Sequence, residues 1–177
     1  MHIEFEERIL EIDVDETIQK LESLGAKKVG EWFQKRYVYD FTPKRENEWI
    51  RLRTNGEVAT LAYKNVEKNT VDGTKEIEVE VSDFNETNEL LNILGYEAKG
   101  YQENKRIRYM LDDVEIDIDS WPMIPTYMEI EAESEERVKE IENKLGVDTS
   151  KITALNCDDI YRDIYGIELK GVKELKF

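Results

Sequence analysis

The stretch Ile3-Glu4-Phe5-Glu6-Glu7-Arg8-Ile9 alternates apolar and charged residues, the period-2 pattern of a strand with two unlike faces. Glu4, Glu6 and Arg8 share one face. Ile3, Phe5 and Ile9 share the other, with Glu7 as the exception. The pattern recurs along the chain. Glu48 to Arg53 sets Trp49, Arg51 and Arg53 against Ile50 and Leu52. The hairpin signal Asn55-Gly56 then leads into Val58 to Lys64, where Ala62 and Lys64 oppose Leu61 and Tyr63. Lys75 to Val81 sets Glu76, Glu78 and Glu80 against Ile77, Val79 and Val81; Lys105 to Met110 sets Arg106 and Arg108 against Ile107 and Tyr109. Val114 to Asp119 sets Glu115, Asp117 and Asp119 against Val114, Ile116 and Ile118. Tyr127 to Glu131 sets Glu129 and Glu131 against Met128 and Ile130. With Arg36 to Phe41 added, about eight strands are expected.

Helical spacing fills the intervals. Asp13 or Asp15 can cap a helix carrying Ile18, Leu21 and Leu24 and ending at Gly25. Asp83 and Glu86 stand in capping-box spacing for a second, which ends Leu94-Gly95. A third runs from Ser134 to Gly146 with Val138, Ile141 and Leu145 inward, and a shorter fourth spans about Cys157 to Tyr165 and stops at Gly166. Residues 65–73 read as a polar loop, and Trp121-Pro-Met-Ile-Pro125 as a bent connection. Leu24–Phe41 and Leu94–Leu111 align without gaps, matching Gly30 with Gly100, Lys35 with Lys105, Arg36 with Arg106 and Tyr39 with Tyr109. The repeat predicts two related halves and makes Arg36 a candidate for the role of Arg106.

A chain of 177 residues suffices for a single domain over residues 1–177. A net charge of −16 opposes a nucleic-acid backbone or an anionic membrane as the bulk partner, though not a small polyanion held by clustered bases and metal. The one cysteine, Cys157, excludes an internal disulfide, and with His2 the only histidine it has no evident base, so an inert thiol is expected. No membrane-spanning stretch or signal-peptide pattern occurs, and a cytoplasmic protein is expected. The sequence leaves a homodimer open. Gly-rich phosphate loops, zinc-spaced His and Cys, and a usable Ser/His/Asp set are missing.

Amphipathic helices cover the apolar faces of such strands, and the charged faces then lie open to water or line a closed barrel. A charged strand face is ordinarily a solvated surface. Here the charges are sorted by strand, with carboxylates at 76/78/80, 115/117/119 and 129/131 and bases at 51/53 and 106/108. Arg predominates among the bases, and its fork suits phosphate. Carboxylates at i and i+2 can ligate Mg²⁺ or Mn²⁺, and without a cation they would raise one another's pKa. The expected occupant is a metal-bound polyphosphate undergoing phosphoryl or nucleotidyl transfer.

Glu4-Phe-Glu6-Glu-Arg8 resembles the Glu-x-Glu-x-Lys hallmark of the CYTH superfamily, the triphosphate tunnel metalloenzymes. The resemblance continues through Tyr39-Asp40, Ile50-Arg51-Leu52-Arg53, Leu61-Ala-Tyr-Lys64, Glu76-Ile-Glu78, Lys105-Arg106, Ile118-Asp119 and Tyr127-Met-Glu129-Ile-Glu131. It implies an α+β fold, an eight-stranded antiparallel closed β-barrel with a charged interior, wrapped by about four helices. It also implies that Glu4, Glu6, Asp119, Glu129 and Glu131 ligate Mg²⁺ or Mn²⁺, and that Arg8, Arg51, Arg53, Lys64 and Arg106 bind a small-molecule triphosphate, with Arg36 and Arg108 as further candidates. Glu76 and Glu78 are placed to orient those bases or an attacking water, so Glu4, Glu6, Arg8, Glu76 and Glu78 form the expected catalytic set. Arg8 stands where Lys is usual, and Ala62 where Thr is common. Three activities fit: a metal-dependent triphosphatase first, then a class IV-like adenylate cyclase, then a non-catalytic polyphosphate- or nucleotide-binding module. No base-recognition motif favours the cyclase, and the full set of carboxylates disfavours the module.

Overall fold

The computed structural model describes residues 2–177, with side-chain surroundings given from Ile3 onward. Eight strands dominate: β1 (His2–Ile9), β2 (Lys27–Asp40), β3 (Glu48–Thr54), β4 (Ala59–Val66), β5 (Thr74–Val81), β6 (Ala98–Leu111), β7 (Val114–Ser120) and β8 (Tyr127–Ala132). They pair in the order β6-β2-β3-β4-β5-β1-β8-β7, every pair antiparallel, and β7 returns to β6. The sheet closes on itself, which satisfies the edges that an open charged sheet would expose. Two short strands add to it: β9 (Ile152–Thr153) pairs with β1, and β10 (Glu174–Leu175) runs parallel to β6.

The helices form where the caps predict. Asp13 accepts from the Glu16 amide at the start of α1 (Val14–Ser23). Asp83 accepts from the Asn85 and Glu86 amides at the start of α2 (Phe84–Ile93), and Ser134 from the Arg137 amide at the start of α3 (Glu135–Leu145). α1 and α2 each run out at a Leu-Gly pair, with Gly25 and Gly95 at φ +87° and +92°, a conformation in which a Cβ is strained. The fourth helix is a single turn, α4 (Cys157–Asp159), continued by a π-helical segment, Ile160–Ile164.

Three apolar clusters fix the barrel. Leu21 of α1 and Val138, Ile141 and Leu145 of α3 pack on the outward residues Ile9, Tyr109, Ile116, Ile118, Met128 and Ile130. Burial of each such side chain is worth about 1.5–3 kcal/mol. Leu91 of α2 packs on Tyr39 and Leu52, while Ile160 and Tyr161 pack with Trp121, Ile124 and Tyr127.

Four expectations are corrected. β2 and β6 are each 14 residues long, well beyond Arg36 to Phe41 and Lys105 to Met110. The extra half of each pairs with the expected part of the other, Lys28 to Phe33 against Tyr109 to Lys105 and Arg36 to Tyr39 against Gln102 to Ala98, and polar composition, Gly30, Gly100 and a register shift between Lys28 and Gly30 hide the alternation. The loop at 65–73 is shorter, since Asn65 and Val66 still belong to β4. The Cys157 to Tyr165 helix leaves α geometry after one turn. No helix covers Ile3, Ile77 and Val79, which stay 52%, 47% and 53% exposed. The repeat does appear in space: Tyr39 and Tyr109 are both buried outward, and Arg36 and Arg106 both face the lumen.

Candidate active site

Alternation on closed strands sends one face of each into the barrel. The lumen holds a cavity of about 600 Å³, lined by Glu4, Glu6 and Arg8 of β1, Arg36 of β2, Arg51 and Arg53 of β3, Lys64 of β4, and Glu76 and Glu78 of β5. Arg106 and Arg108 of β6, Glu115 and Asp119 of β7, and Glu129 and Glu131 of β8 complete it, so every candidate named from the sequence lies on one cavity. A second cavity of about 550 Å³ opens among residues 44–49, Lys99 and the 168–172 segment. Glu6, Arg8, Arg36, Arg51, Lys64, Trp121 and Cys157 line both cavities and form the wall that they share.

Acids and bases interlock inside. Arg8 donates to Glu6 (2.9 Å), lies 2.5 Å from Glu129, and reaches the Leu155 carbonyl at 3.0 Å. Arg51 donates to Glu76 (2.9 Å) and Glu78 (2.8 Å). Lys64 lies 3.0 Å from Glu4 and 2.7 Å from Glu76. Arg106 forks onto Asp119, with Nε to Oδ1 at 2.7 Å and Nη2 to Oδ2 at 2.5 Å, and it also lies 2.5 Å from Asp117. Asp119, expected as a metal ligand, thus spends both oxygens on Arg106. Glu131 alone among the expected ligands makes no ion pair among the described residues.

These contacts shift the carboxyl pKa values in opposite directions. Burial, a hydrogen bond with Glu76 and the nearby acids push Glu4 up to about 9. Burial also works to raise Glu76, but the bond from Glu4 together with Arg51 and Lys64 holds it well below the carboxylate range. Glu129 lies at about 2, because Arg8 and Arg106 outweigh its burial. Burial and the charges of Glu129, Glu115 and Glu6 push Glu131 up to about 7. Burial first, then Asp158, pushes the Cys157 thiol to about 12, so it stays protonated and inert.

The donor set suits a hard divalent cation, since it is all oxygen. Glu4 and Glu131 favour protons when no cation is near, and a cation can take the proton's place. Among the described residues no three carboxylates already converge on one point. Loading would therefore draw Glu4, Glu6 and Glu129 from Lys64 and Arg8.

Some lumenal groups fell outside the expected set. Glu115 stands directly across from Glu131 in the β7–β8 register and lines the cavity. Asp117 is buried between Arg106 and Arg108. The 115/117/119 alternation carried that signal. Asn104, which has no exposed surface, bonds Arg36 and Asp119, and no feature of the sequence marks it.

Residues 2–155 match the CYTH domain. The chain belongs to the CYTH family. Among solved structures, this CYTH chain is similar to a conserved hypothetical protein from Pyrococcus furiosus, at 19% identity and a TM-score of 0.76 over 87% of this chain and 97% of that one. It is similar to a candidate adenylate cyclase from Vibrio parahaemolyticus at 12% identity and a TM-score of 0.76, covering 93% and 98% of the two chains. HpAC1 from Hippeastrum, a candidate adenylyl cyclase with a dominant triphosphatase activity, aligns at 15% identity and a TM-score of 0.61 over 94% and 97%. No curated protein matches the sequence. At these identities the likeness establishes the fold. Among the described residues, no helix is long and apolar enough to cross a membrane.

Proposed function

We propose that this CYTH protein is a metal-dependent triphosphatase. One observation carries the reading: acidic and basic side chains from all eight strands line one cavity, where Glu4 and Glu131 favour protons in the absence of a cation. A magnesium–triphosphate complex supplies both missing charges, a cation for the acids and an anion for the bases. Arg51, Arg53, Lys64 and Arg106 would hold phosphate oxygens, with Arg8 and Arg108 beside them. Arg forks give bidentate contacts, and bonds to charged groups are worth about 1.5–3 kcal/mol each.

Glu4, Glu6, Glu129 and Glu131 would hold Mg²⁺ or Mn²⁺, with Asp119 and Glu115 behind them. The ion neutralises phosphate charge and polarises the phosphoryl oxygens when bound. The chain's own groups do the rest. Glu76 and Glu78 fix the direction of the Arg51 fork at 2.9 and 2.8 Å. Glu76 and Glu78 line the same cavity and are placed to orient an attacking water. Positioning and charge neutralisation supply most of the catalysis in such a transfer.

The candidate cyclases among the similar folds keep a second reading in view, in which a ribose hydroxyl rather than water attacks ATP. One experiment separates the two. Purified protein with Mg²⁺ or Mn²⁺ is given tripolyphosphate, ATP and thiamine triphosphate, and products are resolved. Free phosphate is expected. Cyclic AMP with pyrophosphate would replace hydrolysis by cyclisation, and no turnover of any substrate would overturn both.

A further inference from the structure

Arg36 differs from every other base in the lumen. Arg8, Arg51, Arg53, Lys64, Arg106 and Arg108 each have a carboxylate within 4.0 Å. Among the described residues no carboxylate comes that close to Arg36, which is nonetheless 92% buried (8% exposed). Its partners are neutral. Nη2 donates to Asn104 Oδ1 at 2.6 Å and to Gln34 Oε1 at 3.3 Å, and the guanidinium lies 4.5 Å over the ring of Trp121. Those contacts fix where the group points without cancelling its charge. The Nε of Arg36 and the indole Nε1 of Trp121 have no hydrogen-bond partner.

Position adds to this. Arg36 and Trp121 line both cavities, so they stand at the junction where the two share a wall. Burial first, then the charges of Arg51 and Arg106, lower the Arg36 pKa to about 10 against smaller opposing effects of Cys157 and Asp119. A buried charge without a counter-ion is costly, and a fold retains one most readily where a ligand brings the opposite charge.

We infer that the junction is a distinct oxyanion subsite, in which the Arg36 guanidinium and the Trp121 N–H receive one phosphoryl group of the substrate's phosphate chain. This rests on the triphosphate reading and sharpens it. The other bases exchange one counter-ion for another when substrate arrives, whereas Arg36 gains its first. The phosphoryl group that reaches the junction therefore contributes more to affinity than its neighbours.

The test is calorimetric titration of the full chain with sodium tripolyphosphate in buffer free of divalent metal, so that the readout does not depend on turnover. Arg36→Gln is expected to weaken binding about 10–150-fold, the loss of a charged hydrogen-bonded contact. Arg36→Lys should restore part of it, and Trp121→Phe should weaken binding about 2–10-fold, the loss of a neutral one. Wild-type protein that binds while Arg36→Gln binds within twofold of it overturns the subsite and leaves the triphosphate reading intact. Wild-type protein that takes up tripolyphosphate only once Mg²⁺ is added overturns the subsite alone, and wild-type protein that takes up none in either buffer overturns both. Should Arg36→Gln fail to fold, Trp121→Phe decides, and unchanged affinity there overturns the subsite.

Discussion

Replacing Arg106 by methionine keeps most of the stem and deletes the fork. Three carboxylates meet that fork: Asp119 through two bonds of 2.7 and 2.5 Å, Asp117 at 2.5 Å and Glu129 at 3.4 Å. Asp117 keeps Arg108 at 2.7 Å, and Glu129 keeps Arg8 at 2.5 Å. Asp119, with no exposed surface, keeps only the Asn104 amide at 3.3 Å. The variant thus strands one buried charge, at a cost of about 3–5 kcal/mol. For a chain of this size each kcal/mol moves Tm by roughly 2–4 °C, so a fall of about 6–20 °C is expected by thermal denaturation at neutral pH. Adding Asp119→Asn removes the stranded charge and should recover at least half of the loss. Arg106→Met within about 2 °C of wild type, below the range this cost implies, would refute the reasoning, as would a double variant with no recovery.

Other variants separate binding, chemistry and stability. Glu131→Gln should lower turnover at saturating metal at least about 100-fold, since even a group behind the metal ligands is worth about 10–100-fold and a ligand itself is worth more. Its apo Tm at pH 8 should not fall, because a carboxyl whose folded pKa is raised costs stability once ionised; a marked fall in Tm would contradict that. Arg51→Ala should raise KM about 10–150-fold, with a smaller effect on kcat, as steady-state kinetics would show. Glu142 of α3 is buried beside Glu7 of β1, bridged by Lys139, and burial first, then Glu7, pushes it up to about 7. The folded state binds the extra proton, so wild-type stability should fall as pH rises from the ordinary carboxylate range through 7. Allowing for solvent screening, the contribution is about 1–2 kcal/mol, and Glu142→Gln should flatten that slope in a series of melts from pH 4 to 8.

Strand alternation made a sheet with one charged face legible, while its closure into a barrel was what the family resemblance implied, since an open sheet would carry the same sorted charges. The caps Asp83 and Ser134 were equally plain, since capping depends on a few adjacent residues. What failed was long-range or water-dependent. The outer half of β2 presents Glu31 and Phe33 to solvent, so no apolar face marks it as a strand. A Cβ at Gly30 would lie 2.2 Å from the Trp32 ring, a close approach invisible before folding. Glu7 broke the β1 pattern until α3 placed Lys139 against it. The meeting of Arg36 with Trp121, 85 positions along the chain, belongs to the tertiary fold alone.

The central claim is that these charges grip a metal-laden phosphate chain inside the barrel. A crystal grown with Mn²⁺ and an imido-linked triphosphate analogue tests it through the anomalous signal of manganese. The account predicts a manganese peak in the lumen about 2.1–2.3 Å from oxygens of Glu4, Glu6, Glu129 or Glu131, with phosphate density against Arg51 and Arg106. Manganese and phosphate bound only on the outer surface, beside an empty lumen, would contradict it.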